Sequence, residues 1–67
     1  MREELDIFLA AIPFVPFQIT LASGQVCIVR NAGLVNVGRD IAYIMHPNSD
    51  HHSVIRLVQI AAIDTID

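Results

Sequence analysis

Pro13-Phe14-Val15-Pro16-Phe17-Gln18-Ile19-Thr20-Leu21-Ala22-Ser23-Gly24, PFVPFQITLASG, decides how the rest of this chain is read. Proline fixes its own φ and pushes the residue before it out of the α region, so Pro13 and Pro16 stop any preceding helix and hold an extended connector. From Phe17 the chain alternates: Phe17, Ile19 and Leu21 fall on one side, Gln18 and Thr20 on the other, the pattern of a half-buried strand. Ala22-Ser23-Gly24-Gln25 then supplies a tight turn whose glycine accepts positive φ, and Val26 to Arg30 returns as the second strand of a hairpin.

Upstream, Leu5, Phe8, Leu9 and Ile12 follow the i, i+3, i+4, i+7 spacing of one helical face, and Glu3, Glu4 and Asp6 sit where negative charge meets the positive end of the helix dipole. The spacing predicts a short amphipathic helix over about 2–12. A helix of that length does not persist alone in water, so its apolar face must dock on the hairpin.

Downstream of the hairpin the sequence predicts further strands. Asn31-Ala32-Gly33 reads as a turn, Leu34 to Val37 as a short bridging strand, and Gly38 as a bend. Ile41 to Met45 has apolar residues on both sides, which predicts a strand covered twice. His46 to His52 is a polar loop by composition, and Ser53 to Gln59 alternates again. Ile60-Ala61-Ala62-Ile63 breaks the period of two and predicts one tight helical turn before a last strand stub over Asp64 to Asp67. The expected fold is mostly β: a single domain over 1–67, with the helix about 2–12, the connector 13–17, and a small five-stranded SH3-like or Sm-like barrel, or a strongly bent antiparallel sheet, over 17–67.

Size and composition constrain what such a domain can do. It has 67 residues, 54% of them hydrophobic, and one cysteine. A chain this short buries only about 60% of its unfolded surface. Lone Cys27 cannot close an internal disulfide, and no zinc-finger spacing reinforces the core. Apolar content beyond what so small a domain can hide predicts a homo-oligomer. The apolar runs are too short to span a bilayer as helices, and Arg2 followed by two glutamates is not the basic start of a secretory signal, so the expected location is the cytoplasm. With net charge -3, no lysine and four scattered arginines, the chain lacks the basic stripe that nucleic-acid binding draws on.

Two resemblances lie in particular residues. Phe14 to Phe17 with its prolines, Ile19 to Gly24, Val29-Arg30, Val37-Gly38-Arg39 and Ile60 to Asp64 together resemble a family of short uncharacterised bacterial proteins, which implies no particular activity. The helix followed by Phe17-Gln18-Ile19-Thr20-Leu21 and Gly24 is similar to the start of Sm and LSm proteins, which implies a barrel that forms RNA-binding rings. The likeness stops at the RNA-binding positions: Val29 stands where a glycine is expected, and Gln59-Ile60 replaces the basic-glycine pair before the last strand.

Three groups of residues could carry chemistry. His46, Asp50, His51 and His52 hold imidazoles and a carboxylate within seven positions and could bind Zn²⁺, although adjacent residues on a strand point oppositely and the simpler reading is a solvated turn. Cys27, between Val26 and Ile28, could be a nucleophile only beside a base and a positive charge; among aliphatics it reads as a small hydrophobe. Arg30, Arg39 and Arg56 could converge on an anion or a partner, or pair with Asp40, Asp64 or Asp67. No phosphate-binding loop and no catalytic set is present, so the expectation is a non-enzymatic structural or interaction module without a cofactor, with an Sm-like RNA-binding ring as the alternative.

Overall fold

A computed structural model describes residues 2–46 and 51–66. Helix α1 (Arg2–Ala10) precedes six strands: β1 (Phe17–Leu21), β2 (Val26–Val29), β3 (Val35–Val37), β4 (Ile41–Met45), β5 (His52–Arg56) and β6 (Ile60–Thr65). They form two antiparallel three-stranded sheets, in the orders β2-β1-β6 and β3-β4-β5. The mostly β expectation holds at that level, while the sheets do not close into a five-stranded barrel. The long course from Val26 to Val37 is cut by a 3-10 helix at Ala32–Leu34, whose cap Asn31 accepts the Gly33 N–H on its side-chain oxygen at 2.9 Å. That break hands the chain from one sheet to the other.

The hairpin is as the alternation predicts. Phe17 pairs with Val29 and Ile19 with Cys27, all facing the core, and Gly24 takes φ +94 in the turn. β6 lies on the other side of β1 in the register Phe17 to Thr65 and Ile19 to Ile63, with an irregularity at Leu21 and Ile60.

The core is one cluster built from both sheets and the helix: Leu5, Phe17, Ile19, Leu21, Cys27, Val29, Val35, Ala42, Ile44, Ile55, Leu57 and Ile60. Phe17 is its centre, fully buried with the rings of Phe8 and Phe14 at 5.1 and 5.8 Å in tilted contact. Tilted arrangements put a ring edge against a ring face, the favourable sense of the aromatic quadrupole. The radius of gyration of 10.9 Å matches the value of about 11 Å expected for a compact chain of this length.

Three local expectations are corrected. The helix ends at Ala10 rather than Ile12, which leaves Ile12 off the buried face and 97% exposed. The restraint of Pro13 on the residue before it reaches Ile12 itself, so the fourth position of the apolar stripe is lost. The single helical turn lies at Leu57–Gln59, not at residues 60–63, and Ile60 begins a six-residue strand instead of a stub at Asp64. Leu57 and Ile60 are both buried, and a 3-10 turn of three residues brings such a pair to the same side where a strand would put them on opposite faces. Finally, β4 is covered once, not twice. Ala42 and Ile44 are buried, whereas Ile41 and Met45 on the other face stay 43% and 37% exposed.

Candidate functional site

The open side of β4 belongs to a continuous surface. In the β4–β5 ladder Ile41 stands opposite Arg56, Tyr43 opposite Val54 and Met45 opposite His52, and Asn36 of β3 lies beside Tyr43. Partners in a ladder project to the same face, so these seven residues form the outer face of the second sheet. Val54 is 60% exposed there, and Val58, on the 3-10 turn that follows, is 90% exposed. At one end of the face Asp40, Ile41, Arg56 and Val58 surround a hollow of about 420 Å³. A second groove of about 280 Å³ runs between the β1–β2 turn and β5, lined by Ser23, Gln25, Ser53 and Gln59 among others.

β5 is also an edge strand, and among the described residues no chain pairs with its outer side. The His46 N–H donates to the His51 carbonyl at 3.3 Å and the Leu57 N–H to the Asp40 carbonyl at 2.9 Å. Hydrogen-bonded pairs alternate along an antiparallel ladder, which assigns residues 42 and 44 to 55 and 53 in the same way. The backbone groups of His52, Val54 and Arg56 therefore point away from β4, towards the outside of the sheet.

Of the histidine-loop residues, the structure describes His46, His51 and His52. His46 Nε2 shares a 2.8 Å hydrogen bond with Ser53 Oγ, and the His52 ring lies 5.1 Å from that of Tyr43, tilted by 30°. His52 faces outward opposite Met45, as strand alternation requires. Asp50 lies outside the described residues. Among the described residues no group of three or more His, Cys, Asp or Glu side chains is placed to hold a metal ion.

Cys27 is buried at 3% exposure opposite Ile19, and burial raises its thiol above its ordinary pKa. That is the setting of an inert thiol, since reactive ones need surroundings that favour the thiolate. Of the arginines, Arg30 follows β2, Arg39 lies in the bend before β4, and Arg56 ends β5. Only Arg56 lines the 420 Å³ hollow. Neither Asp40 nor Asp64 forms an ion pair with any of the three; Asp67 lies outside the described residues. The remaining arginine, Arg2, pairs with Asp6 at 3.6 Å and donates from Nη1 to the Gly38 carbonyl at 2.9 Å, which ties the helix to the β3–β4 bend.

Asp40 and Val58 belong to this surface although the sequence alone does not place them there. The signal was present in part: Val58 follows the period of two from Val54 and Arg56, and three residues on one strand face normally share one environment. No helix among the described residues is long and apolar enough to cross a membrane. Compared with protein-family models, with curated proteins and with solved structures, the chain matches none of them.

Proposed function

We propose that this protein is a non-enzymatic module that works by associating with copies of itself. The observation that supports this reading is the outer face of β3-β4-β5, where Ile41, Met45 and Val54 stay more than a third exposed on one sheet while no polar side chain is buried anywhere among the described residues. Monomers of ordinary size keep contiguous exposed apolar patches to a few hundred Å², and larger ones mark interfaces. The edge of β5 adds backbone donors and acceptors that are unpaired among the described residues, beside the same face, a template for another chain. Sedimentation or light scattering across micromolar to millimolar concentration tests it. A concentration-dependent mass above 7.4 kDa is expected; a monomer with a cooperative melt throughout overturns the reading.

A second reading, an Sm-like ring that holds RNA, is favoured by the element order alone: a helix, a hairpin, two sheets linked through one broken strand, and a 3-10 turn before a last strand that returns beside β1. An electrophoretic shift with mixed RNA at low salt tests it, because low salt favours every charge contact. Lack of any shift removes it.

A further inference from the structure

We infer that a second copy docks across a two-fold axis on the end of the β3-β4-β5 face formed by Asp40, Ile41, Arg56 and Val58, with Arg56 of each copy paired to Asp40 of the other. The inference rests on the self-association reading and names its surface and symmetry. Four features of this patch fit a partner of its own kind. Ile41 and Arg56 are direct neighbours in the β4–β5 ladder, and Asp40, in the bend just before β4, is tied to the end of β5 by the Leu57 N–H donated to its carbonyl at 2.9 Å, so both charged residues border the same hollow. Neither side chain has an ion-pair partner among the described residues, and both are exposed. The patch is therefore neutral as a whole yet polarised, with one charge of each sign beside an apolar wall.

A two-fold axis brings each residue i against j and j against i, which converts such a polarised patch into two identical salt bridges. A strongly charged ligand would meet attraction from one group and repulsion from the other. Shape follows the same rule. Val58, 90% exposed, is among the residues lining the 420 Å³ hollow, and the two-fold operation brings the Val58 of each copy to the hollow of the other.

A standard interface takes about 800 Å² from each partner, under a fifth of the 4562 Å² surface of this chain. Four side chains do not supply that, but the patch runs without a break into Tyr43, Val54 and Met45 along the same sheet face. Placing opposite charges face to face at the rim gives register and discrimination against misaligned pairings, while the apolar centre gives the adhesion.

The experiment is a charge swap read by sedimentation equilibrium on the full chain. Arg56→Asp and Asp40→Arg each oppose like charges across the axis and are expected to raise the dimer Kd by about tenfold or more. The double variant restores opposite charges and is expected to return within about threefold of the wild type. Circular-dichroism melts accompany each measurement; where a charge reversal alters the melt, Val58→Glu, on a side chain without burial to lose, carries the test and is expected to weaken the dimer likewise. If the wild type associates while Arg56→Asp, Asp40→Arg and Val58→Glu leave Kd unchanged, this surface is wrong and self-association stands. If the single variants weaken the dimer and the double variant does not recover it, the reciprocal pairing is wrong. A wild type that is monomeric at millimolar concentration overturns both this inference and the function it rests on.

Discussion

Phe17 is the residue on which most of the packing converges. It is fully buried, pairs with Val29 on one side and Thr65 on the other, and carries the rings of Phe8 and Phe14. Removing a buried aromatic costs about 3–5 kcal/mol, which is comparable to the whole stability of a small domain. Phe17→Ala is therefore expected to leave the chain largely unfolded at 25 °C by circular dichroism. Cys27 makes a prediction about pH. Burial raises its folded pKa, so the native state keeps a proton that the unfolded state releases above about pH 8.5. Proton binding is then greater in the native state, and this contribution to stability is complete below the unfolded pKa and is lost as pH rises through the folded value. The melting temperature is expected to fall above about pH 8.5, and Cys27→Val is expected to flatten that slope. A thiol reagent at neutral pH should react with the wild type only as fast as the protein opens. Gly24 differs in kind: a Cβ there would meet nothing within 4 Å, so the cost of a side chain comes from φ +94 itself. Gly24→Ala is expected to destabilise by about 1–2 kcal/mol in a denaturant titration.

At the scale of elements, the helix separates what patterning can read from what it cannot. The spacing of Leu5, Phe8, Leu9 and Ile12 defines a stripe, and the structure buries its first member fully, its next two in part, and its last hardly at all. Leu5→Ala is accordingly expected to cost about 2–5 kcal/mol, while Ile12→Glu should stay within about 0.5 kcal/mol of the wild type, both measured by denaturant titration. The hairpin was legible to within one residue, its return strand ending at Val29 instead of Arg30, because alternation, proline and glycine all act within a few positions of one another. The 3-10 turn was not. Ile60-Ala61-Ala62-Ile63 breaks the local period, yet the turn lies three residues earlier, where Leu57 and Ile60 must both reach a core assembled from β1, β4 and α1. That requirement comes from the partners of the chain in space and leaves little trace in the four residues themselves. The site shows the same division. The alternation of Val54 and Arg56 against Ile55 was legible, whereas His52, read as part of the polar loop, opens β5, and the juxtaposition of Asp40 with Arg56 depends on the pairing of β4 with β5 across a loop.

For the whole molecule, the decisive property is the imbalance between two sheet faces. The first sheet presents Gln18, Thr20 and Asp64 on its outside together with Val26 and Ile28, a mixture that water tolerates. The second presents Ile41, Tyr43, Met45 and Val54 in one block. Replacing Met45 and Val54 by lysine is expected to suppress association by light scattering with little change in the melt of the monomer, because both side chains are on the outer face, 37% and 60% exposed, and outside the core cluster. Loss of folding in that variant would show instead that the face is part of the core. What the sequence by itself determined is which residues share a side within the hairpin and where that hairpin turns, since both follow from backbone geometry over a few neighbouring positions. Which side of β4 is covered, and that two sheets form in place of a closed ring of strands, only the tertiary structure decided, because the groups that cover a face are remote along the chain and alternation is the same whichever face they choose.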